Sequence, residues 1–359
     1  METARHSIDP AAPDGAAARA RLARAAEVLT SGGLVAFPTE TVYGLGANAL
    51  DEAAVARIFE AKGRPSFDPL IVHVGDAGHL GRIARDVPDA ARALAERFWP
   101  GPLTLVLPRG GAVPHRVTAG GETVGVRVPA HPVARALLAA SGLALAAPSA
   151  NRFAHTSPTT AQHVLDDLEG RIDMVLDGGP CAVGVESTVL DVTRAVPRVL
   201  RPGAVTVAAL REVLGEVELR PQAAPESAVA ASDEPLRGPG LLERHYAPRS
   251  PLRLFRGDDP AAVARALARA SAELHAGGRT TVALVAAEDE PYLAPDEARV
   301  VLGSLDDLTA VARGLYAALR EAEARAPDAI LARGFPRTGV GVALDDRLRR
   351  AAESIEDVG

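Results

Sequence analysis

The chain holds one cysteine, Cys181, in 359 residues, which excludes an internal disulfide and the usual cysteine-based zinc cluster. A reducing cytoplasm is the expected setting. Basic residues do not outnumber acidic ones: 39 Lys and Arg stand against 46 Asp and Glu, a net charge of −7. The global field therefore repels phosphate, so any polyanion must be met by a local basic patch, and a general nucleic-acid coat does not fit. Long apolar runs are missing too. Nothing approaches the roughly 20 residues of a membrane span, and the first thirty residues lack the apolar core of a signal peptide, so a soluble, unexported protein is expected. Neither His-x-x-x-His nor a paired-carboxylate spacing marks a protein-held metal. What is present is apolar: at 47% hydrophobic and 24% charged, the chain can bury a large core and is expected to divide into two domains.

Short apolar runs alternate with helical ones from residue 16 onward, the pattern of an α/β sheet. The first fifteen residues show no periodicity, and the ordered domain is expected to start near residue 16. Regularity stops near residue 215. Residues 216–251 carry six prolines amid Ala and Ser and read as an extended connector. From 252 to 359 a second alternating series predicts a small doubly wound domain. It has no Gly-x-Gly-x-x-Gly after its first strand, so no dinucleotide site is expected there.

Several segments could carry chemistry. Pro38-Thr39-Glu40-Thr41-Val42-Tyr43-Gly44-Leu45-Gly46 follows a strand and offers hydroxyls, a carboxylate and glycines as a site wall, or serves only as a polar turn. Lys62-Gly63-Arg64-Pro65 closes a helix, with Gly63 suited to the left-handed position. Its two cations either complement the helix dipole or grip phosphate, Lys as a point charge and Arg as a fork. On a turn, their truncation is expected to leave the fold intact. Pro148-Ser149-Ala150-Asn151 presents a hydroxyl and an amide. Arg127 lies between two valines in a strand; it is a solvated residue, or, if the sheet is covered on both sides, one that needs a carboxylate or a ligand. His73 poses the same choice between core and site.

In this order the segments resemble the threonylcarbamoyl-AMP synthase family in its longer form. Pro69-Leu70-Ile71-Val72-His73, Phe98-Trp99-Pro100-Gly101-Pro102-Leu103-Thr104, Gly184-Val185-Glu186-Ser187-Thr188, Arg201-Pro202-Gly203, Arg244-His245-Tyr246-Ala247-Pro248 and Leu331-Ala332-Arg333-Gly334-Phe335-Pro336 add to the resemblance. It implies a YrdC-like twisted mixed sheet with helices over 16–215, a linker or lid over the active site at 216–251, and a smaller Rossmann-like doubly wound domain at 252–359. It also implies the synthesis of threonylcarbamoyl-AMP and pyrophosphate from L-threonine, bicarbonate and ATP, a nucleotidyl transfer serving tRNA threonylcarbamoyladenosine modification. Lys62, Arg64, Asp68, Thr123, Ser149, Asn151, Arg201 and Tyr246 would face ATP, with Lys62 and Arg64 the central catalytic cations. Thr41, His73, Arg127, Ala147 through its backbone, and Ser187 would hold threonine. Mg²⁺ would accompany ATP. Downstream threonylcarbamoyl-transfer proteins and a weak tRNA contact are implied as partners. Asp68 stands where the family often has asparagine, and could help place Mg²⁺. Asp345-Asp346 replaces a frequent Met-Asn pair on what is expected to be that domain's surface. The competing expectations are a non-catalytic RNA-binding module of the same fold and a hydrogenase-maturation carbamoyltransferase, which a single cysteine excludes.

Overall fold

Helix ends are set by local chemistry. Asp51 accepts hydrogen bonds from the Ala53 and Ala54 amides to start the helix Glu52–Lys62, and Gly63 stops it in the left-handed conformation at φ 64°, as its sequence predicts. Pro132 opens the helix Pro132–Ser141, behind a His131 side chain that accepts from the Val133 amide. The computed structural model describes residues 2–220 and 245–358. These divide into two units. One takes the described chain through Phe153, Pro158–Ala182 and 186–220; the other takes Ala154–Ser157, Val183–Val185 and the described chain from 245.

The first unit is built on β1 (Ala4–Ser7), β2 (Val35–Phe37), β3 (Gly44–Asn48), β4 (Ile71–His73), β5 (Leu103–Pro108), β6 (Thr123–Arg127), β7 (Leu145–Ala146), β8 (Met174–Asp177), β9 (Thr188–Asp191), β10 (Arg198–Arg201) and β11 (Glu218–Leu219). They lie in the order β1-β8-β2-β3-β7-β4-β6-β5-β9-β10-β11, with parallel and antiparallel neighbours mixed. The expected fold class is therefore observed.

Two boundaries differ from the sequence reading. The sheet starts upstream of residue 16, because Ala4–Ser7 pairs in parallel with Met174–Asp177. This edge strand carries Arg5 and His6 and is mostly exposed, so no apolar alternation announces it. At the other end Glu218–Leu219 pairs with β10, so the chain stays in the sheet beyond residue 215. Of the proline-rich segment, residues 221–244, which include Gly238-Pro239-Gly240, Leu241, Leu242 and Arg244, lie outside the described residues.

The second unit has a five-stranded, all-parallel sheet: β12 (Leu252–Arg256), β13 (Thr281–Val285), β14 (Arg299–Val301), β15 (Ala329–Arg333) and β16 (Ser354–Asp357), ordered β14-β13-β15-β12-β16. Helices Pro260–Ala276, Leu308–Ala324 and Gly341–Ala351 connect its strands. Asp345 and Asp346 are buried, not on a surface as expected. Asp345 pairs with Arg337 at 3.3 Å and Arg256 at 3.7 Å, and Asp346 with Arg347 and Arg350. Arginines on and around the last helix supply the counter-charges that make this burial tolerable. No described helix is long and apolar enough to cross a membrane.

Candidate active site

The central strands of the first sheet have two unlike faces. Successive side chains alternate across a strand. Leu103, Leu105 and Leu107 of β5, Val124 and Val126 of β6, and Val72 of β4 all belong to one apolar cluster. The residues between them, Thr104, Gly125, Arg127, Ile71 and His73, share the other face. The parallel register sets His73 beside Arg127, and the antiparallel one, with Leu105 opposite Val126, brings Thr104 next to Arg127. Gly125 keeps this face shallow, since a Cβ there would stand 3.2 Å from Thr104 Cγ2.

Arg127 is 3% exposed, so the solvated reading of this strand arginine is ruled out. Its Nε donates to the Gly101 carbonyl at 3.1 Å, Nη1 to Thr41 Oγ1 at 3.0 Å, and Nη2 meets Glu40 Oε1 at 2.6 Å. Glu40 Oε2 accepts in turn from the Ala130 amide at 3.0 Å. The Thr39–Val42 turn is locked by Thr39, whose Oγ1 donates to the Val42 carbonyl and accepts from the Thr41 and Val42 amides. Glu40 is the carboxylate an inward arginine requires. In the sequence Glu40 stands only within a candidate wall, and the demand of an inward arginine for a carboxylate is the signal that finds it. His73 sits edge-on to Phe37 with ring centroids 6.1 Å apart. Burial, and secondarily the Arg127 charge, push it down to about 3, so the imidazole is neutral.

Beside this cluster, Ser187 Oγ lies 2.8 Å from Thr104 Oγ1, and Arg201 donates from Nε and Nη2 to the Ser187 carbonyl at 3.2 and 3.0 Å. Gly203 permits that approach: a Cβ would come within 2.4 Å of the Thr188 amide. Thr104, missed in the sequence, was legible only through strand alternation.

Lys62 and Arg64 form a second cluster. Lys62 is 3% exposed, and its Nζ donates to the Ser149 carbonyl at 2.5 Å and to the Asn151 carbonyl. Burial first, and Arg64 second, hold its pKa well below that of an ordinary lysine. Arg64 donates to the Asp68 and Pro69 carbonyls at 3.2 and 2.9 Å and pairs with the fully buried Asp68 carboxylate at 2.9 Å. These cations are built into the interior and do not decorate a turn. The expectation that their truncation leaves the fold untouched is corrected: it strands buried carbonyls and, at residue 64, a carboxylate.

A backbone seam joins the clusters. Leu45 N donates to the Pro148 carbonyl and Ala150 N to the Tyr43 carbonyl, both at 2.8 Å, and Gly44 bridges Ser149. Ala147 N is spent on the Ile71 carbonyl at 2.9 Å. Thr123 shares the face of Arg127 but sits at the far end of β6, about 13 Å along the strand. Tyr246 belongs to the second unit, buried against Tyr316 at 5.8 Å between ring centroids and under the Arg347 guanidinium at 5.2 Å. Among the described residues no group of three or more His, Cys, Asp or Glu is arranged to hold a metal.

Residues 27–203 match the family described as telomere recombination, and residues 205–353 match the threonylcarbamoyl-AMP synthase C-terminal domain. The threonylcarbamoyl-AMP synthase of Bacillus subtilis is 44% identical across 92% of this chain and 93% of its own length. That of Pyrococcus abyssi is 43% identical across 91% and 93%. The crystal structure of P. abyssi Sua5 complexed with L-threonine superposes with a TM-score of 0.90 at 39% identity, covering all of both chains. Two domain matches in order, full-length relatives and a shared fold agree with a sheet face built around Arg127, and the chain belongs to the threonylcarbamoyl-AMP synthase family.

Proposed function

We propose that this chain condenses L-threonine, bicarbonate and ATP into threonylcarbamoyl-AMP, releasing pyrophosphate, as a nucleotidyltransferase of the cytoplasm that supplies tRNA modification. The observation that carries the reading is the pairing of Arg127 with His73 on a polar sheet face, in a family whose P. abyssi member is described in complex with L-threonine. Arg127 takes the threonine carboxylate as a fork; Thr41, Ser187, neutral His73 and the Ala147 backbone surround the rest of the amino acid. Lys62 shapes the Ser149–Asn151 turn, and with Arg64, Thr123, Arg201, Ser149, Asn151 and Tyr246 it faces the nucleotide. The charge of Asp68 is matched by Arg64, so we give it no metal. Mg²⁺ arrives on the triphosphate as part of the substrate.

In this scheme the ammonium of bound threonine gives up a proton to solvent and the amine so formed adds to bicarbonate with loss of water, giving an N-carboxylate. A carboxylate oxygen then attacks the α-phosphorus, and the bond to pyrophosphate breaks. No covalent enzyme intermediate is needed; the protein positions the reactants and neutralises charge. Threonylcarbamoyl-transfer proteins then consume the product, and direct contact with tRNA is weak. The test is pyrophosphate release: it is expected only when threonine, bicarbonate and ATP are all present. Release from any two of them rejects the reading. Tyr246→Ala is expected to raise ATP hydrolysed per product formed, measured as the product-to-pyrophosphate ratio; an unchanged ratio removes Tyr246 from the nucleotide site.

A further inference from the structure

We infer that Glu40 is a specificity-determining residue that reads the α-ammonium group of the substrate; this rests on the threonine-site reading above. A guanidinium has five N–H donors. Arg127 donates two of them, from Nε to the Gly101 carbonyl and from Nη1 to Thr41 Oγ1, while Nη2 stands 2.6 Å from Glu40 Oε1 as an ion pair without a hydrogen bond. A donor remains on Nη1 and both remain on Nη2, so the two terminal nitrogens can still grip a carboxylate bidentately. Glu40 thus leaves the fork usable while holding it in place. Its own oxygens are not exhausted: Oε1 meets Arg127 and Oε2 accepts the Ala130 amide, whereas a carboxylate offers about four lone-pair sites. A group bound to the fork lies beside a fixed negative charge.

Charge balance then selects the ligand. Arg127 and Glu40 cancel, and both are buried. The titratable groups that feel their charges add none of their own: His73 is neutral, burial lowers the pKa of His131, and burial raises that of the Cys181 thiol, while Arg201, beyond Ser187, faces the nucleotide in the proposed reading. A simple carboxylic or hydroxy acid brings one uncompensated negative charge into this buried setting, which is costly. A zwitterionic α-amino acid brings none, with its carboxylate on Arg127 and its ammonium on Glu40. The turn that carries Glu40 is fixed by the Thr39 hydroxyl, so the acid does not swing away.

The experiment compares the full chain with Glu40→Gln and Glu40→Asp. Calorimetry measures affinity for L-threonine and for 2,3-dihydroxybutanoate, which carries a hydroxyl in place of the ammonium. Glu40→Gln is expected to weaken threonine about tenfold or more without weakening the hydroxy acid, so that the preference falls by at least that factor. ATP affinity should be unchanged. Glu40→Asp, which keeps the charge, should retain most of the preference, and decides the matter should Glu40→Gln fail to fold. Equal weakening of both ligands, an unaltered preference in Glu40→Gln, or a preference lost as fully in Glu40→Asp overturns the inference. Absence of threonine binding in the unaltered chain instead rejects the proposed function.

Discussion

Each unit buries an arginine–carboxylate pair, and the two pairs are built alike. Arg127 meets Glu40 at 2.6 Å and Arg333 meets Asp289 at 2.5 Å. In both, the arginine Nε donates to a backbone carbonyl, Gly101 or Gly334, and the acid accepts a backbone amide, Ala130 or Ala286. Their surroundings differ. Arg127 looks onto threonine hydroxyls, a glycine and a neutral imidazole, whereas Arg333 lies over the ring of Phe335 at 5.7 Å. A buried ion pair is by itself no site; polar neighbours with unused hydrogen-bonding capacity make it one.

Removing each arginine should separate the two pairs most clearly. Arg127→Leu is expected to lower kcat/KM for threonine about a thousandfold, some 4 kcal/mol, while the affinity for ATP holds. Initial rates at varied threonine and nucleotide calorimetry check this; equal loss of both affinities defeats the carboxylate assignment. Arg333→Met should leave turnover per folded molecule unchanged but cost about 3 kcal/mol in urea unfolding, because Asp289 is left buried without its partner. If Arg333→Met lowers threonine affinity as Arg127→Leu does, the two pairs are not distinct in role.

A smaller effect sharpens the contrast inside the first unit. Lys62→Met keeps the volume but removes the donor to the Ser149 and Asn151 carbonyls. It is expected to cost about 2 kcal/mol of stability and to abolish pyrophosphate release. Loss of activity with no loss of stability would return Lys62 to a purely ligand-facing role.

The smallest effect is in pH. The folded-state pKa of His73 is about 3 and its unfolded value 6.5. Between these values the unfolded chain binds the extra proton. The stability contributed by His73 is therefore complete above pH 6.5 and declines as the pH falls towards 3, by at most about 1.4 kcal/mol per unit. His73→Asn should flatten the fall in Tm between pH 6.5 and 5. A parallel pair of curves would show that the folded imidazole takes up its proton as the unfolded one does.

Much of this was legible in the sequence, and the gaps share a cause. The alternation in Leu103–Pro108 and Thr123–Arg127 gave both strands to within a residue or two, and it placed Arg127 and His73 as residues needing an explanation. β3 was hidden because Gly44-Leu45-Gly46 reads as a loop by composition and becomes a strand only through Val35–Phe37 on one side and Leu145–Ala146 on the other. β1 was hidden for the same reason, since its partner lies some 170 residues away. The Lys62 and Glu40 environments are likewise made by distant backbone, the Ser149 and Asn151 carbonyls and the Ala130 amide. Local pattern names residue types; non-local pairing decides whether they are sealed in or left available.

The seam between Tyr43–Leu45 and Pro148–Ala150 has a consequence for timing. Thr41, which touches Arg127, lies two residues from Tyr43, and Ser149, which Lys62 holds, lies one from Ala150. In the proposed reaction one ladder of backbone hydrogen bonds therefore sets the separation between the amino acid and the phosphate to be attacked. The two substrates can be gauged against each other before either arrives, so the short-lived carboxylated amine forms at a set distance from its phosphorus.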